Sequence, residues 1–280
     1  MGRLSELGFQ FSRHTAAVVG GVIILAVVVM AVMAGVIFEH GPWDLVARPL
    51  LRPGYDPRYP LGTDMLGRDV MAGIFYGAQI SLLIGIVATS VAIGLGAAIG
   101  AVAGYYGSWV DDALMRFTEV FQTIPPFLFM VVIVAIFQPS VTTIVLAIGA
   151  VSWPQVARLV RGEFMALRDR EFIQAAIGIG MSDTRIIATQ MLPNALSQII
   201  VMASFIVAQT ILNETGLAFL GLGDPNVISW GSMIGSGREA FRNAEYLTII
   251  PGIAIVLTVL ALNLIGDGLN DALNPRQRQR

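Results

Sequence analysis

The chain has 280 residues, of which 55% are hydrophobic and 13% charged, and its formal net charge is −2. Soluble domains carry about 25% charged residues, so this composition describes an integral membrane protein, and a near-neutral chain without a basic stripe is no nucleic-acid binder. All seventeen basic residues are arginine and cysteine is absent, which excludes a P-loop, a Schiff-base lysine, disulfides and thiolate metal sites.

Residues 1–14 form a polar start with Arg3 and Arg13. Residues 15–38 carry no charge and are long enough to cross roughly 30 Å of hydrocarbon. That run exceeds the about 7–15 apolar residues of a signal peptide, so it reads as a retained first span. Residues 39–78 shift to Pro, Gly, Asp and Arg and read as an extramembrane loop, with Asp69 placed to cap a helix leading into the next span. The second span, 79–106, holds Gly96, Gly100 and Gly104, a spacing that predicts backbone-close packing on another helix. A connection at 107–119 contains Asp111, Asp112 and Arg116, read as solvated charge. The third span, 120–137, should bend at Pro125-Pro126, and Gln138-Pro139-Ser140 separates it from the fourth, 141–157. Ser152-Trp153-Pro154 should bend or restart that fourth span.

Residues 158–193 hold five arginines, more than any other connection. Residues 163–178 read as one amphipathic helix with Phe164, Leu167, Phe172, Ala175 and Ala176 on its apolar face. Gly180 breaks it. A second short helix starts at the N-cap Ser182, with Asp183 in its first turn. It places Ile187, Ala188 and Met191 on one side and Arg185 and Thr189 on the other, and stops at Pro193. Two short amphipathic helices joined at a glycine make a knob suited to another protein's groove; an ordinary solvated loop helix is the plain alternative. The fifth span is 194–213, a loop occupies 214–245, the sixth span is 246–266, and 267–280 form a polar tail. With both ends on one side, eleven arginines share that side with 158–193 and six lie opposite, so the positive-inside rule places the knob and both termini in the cytoplasm.

His14 and His40 flank the first span on opposite sides and cannot share a metal. No HExxH or nucleophile–base arrangement supports an enzyme. The six spans have no Asp, Glu, Arg or His in their interiors, which argues against an ion-coupled secondary transporter. The neutral polar residues Gln122, Thr123, Gln209 and Asn213, with Gln198, Ser204 and Asn263, are candidates for lining a pathway. Interhelical hydrogen bonding is their plainer role.

Gln174-Ala175-Ala176, then Gly180, then Leu192-Pro193 resemble the EAA loop of ABC importer permeases, with Gln174 where that family usually has Glu. Leu61-Gly62-Thr63-Asp64-Met65-Leu66-Gly67-Arg68-Asp69-Val70 followed by Tyr76-Gly77-Ala78-Gln79-Ile80-Ser81-Leu82 is similar to a segment of the dipeptide, oligopeptide and nickel permeases. There Gln79 replaces the more usual Arg. Phe219-Leu220-Gly221-Leu222-Gly223, Ser229-Trp230-Gly231-Ser232-Met233 and Asp271-Ala272-Leu273-Asn274-Pro275-Arg276 resemble the same branch. The resemblance, to the C-type subunit, implies an all-α polytopic membrane protein of six transmembrane helices, five of them forming a type I ABC importer (MetI-like) core. It implies import of dipeptides or oligopeptides, with nickel chelates, glutathione and opines left open as cargo and an ion-coupled carrier as the other class. It implies a second permease subunit, two cytoplasmic ATPases that bind the ATP and Mg, and an extracytoplasmic substrate-binding protein, in a bacterial inner membrane. Coupling to the ATPases would run through Gln174, Ala175, Ala176, Gly180, Asp183, Arg185, Leu192 and Pro193.

Overall fold

The computed structural model describes residues 14–273. Arg3, Arg13, Arg276, Arg278 and Arg280, which enter the arginine count, and residues 274–276 of the last family-like stretch lie outside the described residues. Those described are mostly helical, with two isolated β-bridges and no strand. The helices are α1 (Thr15–Ile37), α2 (Val70–Tyr106), α3 (Ser108–Thr123), α4 (Pro126–Phe137), α5 (Val141–Arg168), α6 (Glu171–Gly178), α7 (Asp183–Ile186), α8 (Leu192–Phe219), α9 (Trp230–Gly237) and α10 (Tyr246–Leu273). A π-helical turn, Ile187–Met191, joins α7 to α8. Five of these rods are long and apolar enough to cross a membrane, taking 183–219 as one. The pair α3 and α4, bent by 78°, makes a sixth. Proline causes that bend: Ile124 precedes Pro125 in extended backbone, and Pro126 opens α4 where its missing N–H is not needed. Pro125-Pro126 therefore acts as the sequence predicts.

Several helices outrun the spans drawn from hydropathy, because a helix does not stop where the apolar run stops. The Asp69 carboxylate accepts the Met71 N–H at 2.8 Å and starts α2 nine residues before 79. The 107–119 connection is helical as α3. Residues 158–168 continue α5 past Pro154 with no restart, since Ser152, Trp153, Val156 and Ala157 are buried on both sides of the proline and packing holds the helix across one missing hydrogen bond.

The interface between α2 and α5 organises the bundle. A Cβ on Gly96 would lie 2.6 Å from Trp153 O, one on Gly100 2.3 Å from Ala157 O, and one on Gly104 2.7 Å from Arg161 O. These three glycines are the stripe read from the sequence, and they bring two helix backbones into contact. α1 sits outside this core against α10 and α2. Gly20 lies against Ala261 O, and the Gln79 amide donates to Ala31 O at 2.6 Å.

At the end of the bundle opposite α6, the 39–69 segment is knotted to α10. Thr63 is fully buried; its hydroxyl donates to Arg48 O at 2.7 Å and accepts the Leu51 N–H at 3.0 Å. The Tyr246 hydroxyl reaches Leu51 O and Thr63 O at 3.0 and 2.7 Å. Gly62 has φ +80°, and a Cβ there would be 2.1 Å from Leu51 O, so only glycine fits. Asp64 accepts the N–H groups of Leu66 and Arg68, each at 2.8 Å, and the Arg68 guanidinium stacks 4.7 Å from the Trp43 ring.

Gly100→Ala should destabilise the protein by about 1–3 kcal/mol through overpacking against Ala157 O. Gly94→Ala, where nothing lies within 4 Å, should be neutral or slightly stabilising. Thermal unfolding in detergent measures both; equal midpoints would contradict the packing role of the stripe.

Candidate functional site

The knob seen in the sequence is real but divided differently. Its first helix breaks at Asp169-Arg170, where Arg170 is extended (φ −76°, ψ 143°), so 163–178 is the end of α5 plus α6 and not one helix. The Gln174 amide closes this break by donating to Arg168 O at 2.9 Å, supplying a partner to a carbonyl the helix end leaves free. α6 ends in a Schellman motif: the Met181 N–H bonds Ala176 O at 3.1 Å and the Gly180 N–H bonds Ile177 O at 2.9 Å. Gly180 sits at φ +78°, the left-handed conformation this motif requires. The apolar face also differs. Ile173, Ala176 and Ile186 are buried with Phe164, Val160 and Met191, whereas Phe172 and Ala175, expected inside, are exposed. Alternating the helix about its new start at Arg170 rotates Ile173 inward. Phe172, Ile177 and Ile179 are left 44%, 46% and 79% exposed on the knob.

Leu192-Pro193 does not close the segment. Pro193 lacks an N–H and its ring would meet the carbonyl four residues back, so the chain widens to a π turn, with the Leu192 N–H bonded to Ile187 O, and runs on into α8. Asp183, at the start of this 37-residue rod, accepts the Tyr105 hydroxyl at 2.7 Å. Arg168 donates to Tyr105 O at 3.3 Å, and Arg161 forms a two-pronged ion pair with Asp111, Nη2 to Oδ2 at 2.6 Å. Asp111 is therefore buried and paired, not solvated. Tyr105 escaped notice in the sequence because it ends an apolar run and carries no motif. Gln174, Ala175, Gly180, Asp183, Arg185 and Pro193 are exposed, Leu192 half-buried and Ala176 buried.

The polar pathway candidates fall into two separate pairs. Gln122 accepts from the Arg158 guanidinium at a cleft of about 440 Å³ between α3 and α5, and Thr123 bonds its own helix at Val120 O. Gln209 and Asn213 face each other one turn apart on α8 at 3.5 Å. Among the described residues no hydrogen bond joins the two pairs. Ser204 bonds Val201 O and lies against Gly266, helix packing in both respects.

The predicted spans keep their uncharged interiors, but a buried acid lies one residue past the end of the fifth. α8 extends to Phe219 and so encloses Glu214, 2% exposed, whose Oε1 accepts the Ser229 hydroxyl at 2.5 Å. The sequence reading ended the span at the charge itself. Ser229 caps α9, and the next residue, Trp230, is fully buried; its indole N–H donates to Ile74 O at 2.9 Å and its ring lies against Gly77. Farther along α9 a cleft of about 400 Å³ is lined by Trp43, Arg68, Asp69, Asp224, Met233 and Glu239. Burial raises the Asp69 carboxyl above its ordinary range, opposed by the N–H groups of Met71 and Ala72. No cluster of metal-ligating side chains exists among the described residues.

Comparison with known proteins adds to this geometry. Residues 96–279 match the model of the binding-protein-dependent transport system inner membrane component family, and residues 4–53 that of the N-terminal TM domain of oligopeptide transport permease C. The dipeptide transport system permease protein DppC of Alkalihalophilus pseudofirmus is 37% identical over 270 residues, 96% of this chain and 88% of that protein. The oligopeptide permease OppC of Haemophilus influenzae is 35% identical (96% and 87% covered), as is the glutathione permease GsiD of Pectobacterium atrosepticum (97% and 90%). The inward-facing MetNI methionine ABC transporter shares the fold, with a TM-score of 0.60 at 16% identity over 73% of this chain and 98% of that one.

Tyr105→Phe removes the one hydroxyl bond to Asp183. Trypsin cleavage after Arg185 should rise several-fold with the global melting temperature nearly unchanged; an unaltered cleavage rate would show that the bond does not hold the knob.

Proposed function

Because the chain belongs to the binding-protein-dependent transport system inner membrane component family, we propose that it is half of the pathway of an ATP-driven importer of short peptides, and that residues 169–193 take up the force of cytoplasmic ATPases. The chain is a multi-pass membrane permease and not an enzyme; ATP and Mg belong to separate subunits, since no lysine is available for a P-loop. Its relatives are named for dipeptides, oligopeptides and glutathione, all short peptides, and peptide import is the reading we adopt. A second permease would complete the pathway and a substrate-binding protein would deliver cargo from the outer side. The arginine distribution supports a cytoplasmic knob and cytoplasmic termini.

One observation carries the coupling role: an apolar tip, Phe172, Ile177 and Ile179, is held out from a bundle end that is otherwise fastened down by Tyr105, Arg161 and Arg168. These three exposed apolar side chains, Ile179 at 79% among them, support a protein contact beyond the arginine-rich end. Asp183 and the π turn make the knob continuous with α8, so displacement of the tip moves a membrane-spanning rod. Gln174 serves this geometry as a donor; a carboxylate at 174 could only accept and would face Arg168 O unbonded.

Gly180→Val forces a β-branched residue into φ +78°. It should leave membrane insertion intact, weaken co-purification of the ATPases in mild detergent, and lower peptide uptake about five- to thirtyfold, from a turn penalty of about 1–2 kcal/mol. Normal uptake and co-purification would reject the coupling role. Alone in liposomes, the chain should move no peptide under a proton or sodium gradient; uptake driven by a gradient alone would favour an ion-coupled carrier instead.

A further inference from the structure

Three acids are buried among the described residues, and two have evident duties: Asp69 caps α2 and Asp111 pairs with Arg161. Glu214 is different. No ion pair reaches it among the described residues, and its Oε2 has no hydrogen-bond partner. What it has is Ser229. The Ser229 hydroxyl accepts the Ser232 N–H at 3.0 Å as N-cap of α9, while the Ser229 N–H donates to the Ser232 hydroxyl at 2.9 Å. A hydroxyl has one hydrogen, and with its oxygen engaged by the cap that hydrogen is directed to Glu214 Oε1, 2.5 Å away. The same serine therefore starts α9 and fastens it to α8.

The surroundings show how close that fastening is. A Cβ on Gly231 would lie 2.8 Å from Thr215 Cα and 2.9 Å from Glu214 Oε2, and one on Gly235 2.7 Å from Ala218 O. α9 thus lies against the backbone of the last turns of α8. The other polar tie, Arg238 to Phe219 O at 3.0 Å, is at the exposed rim. The far end of the same rod begins at Asp183, in the knob.

We propose that Glu214 is a positioning residue that locks α9 to α8, so that the outer helix Trp230–Gly237 is carried as one body with the rod whose opposite end is the knob. The transport consequence rests on the importer reading above; the lock itself does not. Motion imparted at residues 169–182 then reaches the outer cleft along α8, because the Ser229–Glu214 bond and the close approach of Gly231 and Gly235 fasten α9 to its last turns.

The chain has no cysteine, so nitroxide labels at Leu212→Cys and Ser236→Cys, both exposed, report the α8–α9 distance without background. In the assembled transporter the distance should be single, narrow and the same with and without ATP. Glu214→Gln keeps an acceptor for Ser229 and should preserve both the distance and uptake within about twofold. Glu214→Ala should broaden the distance and cut uptake at least about tenfold while ATPase co-purification and basal hydrolysis stay within about twofold. Ser229→Gly, a milder change that still tolerates a helix start, should behave like Glu214→Ala, and the double variant should be no worse than Glu214→Ala alone. A narrow distance with full uptake in Glu214→Ala overturns the proposal, as does an ATP-dependent distance in the unsubstituted protein. If Glu214→Ala does not assemble, the pair Ser229→Gly and Glu214→Gln decides alone. Failure of the chain to bind any ATPase, with the distances as expected, would instead remove the importer reading and leave the lock standing.

Discussion

The contact between α2 and α5 is the constraint on which the rest depends. In lipid there is no hydrophobic drive between helices, so two spans associate firmly only where their backbones can meet. Gly96, Gly100 and Gly104 allow that meeting along three successive turns. Once it is made, Tyr105, immediately beyond the stripe, and Arg161 and Arg168 on the facing helix fall within reach of Asp183, Asp111 and the Tyr105 carbonyl. The knob is positioned by the side chains at the end of a packed seam, which leave its tip exposed.

The two ends of the molecule use the same economy of parts. At the knob end a Schellman glycine and a glutamine amide give partners to backbone carbonyls at the ends of two successive helices. At the opposite end Thr63 and Tyr246 tie the 39–69 segment to α10, and Ser229 and Glu214 tie α9 to α8. α8 joins these ends, and the π turn that admits Pro193 is what makes it continuous. A proline that reads as a stop is accommodated by a wider turn, with the consequence that the second helix of the knob and a long apolar helix are one rod.

Much of this was legible in the chain. Small-residue spacing gave away the seam, Asp69 its capping duty, Pro125-Pro126 the bend, and Gly180 the end of the knob's first helix, because each acts through local sterics or a single hydrogen bond that the residue type dictates. The parts that escaped depend on tertiary placement. Tyr105 and Asp183 are 78 residues apart and neither carries a motif. Which apolar residues of α6 turn inward depended on a break at Asp169-Arg170 that propensity does not reveal. Glu214 reads as the edge of a span because charge is the usual mark of an edge; its partner, the capping serine that folds back over α8, is 15 residues away and invisible to local pattern.

If the α2–α5 seam is the fixed frame and the knob the moving input, hydrogen exchange should separate them in the assembled transporter. Amides of residues 97–104 and 154–164 should keep the same high protection with and without ATP, while those of 170–182 gain protection as the ATPases close on them. Loss of protection along the glycine seam on nucleotide binding, with residues 170–182 unchanged, would contradict the account.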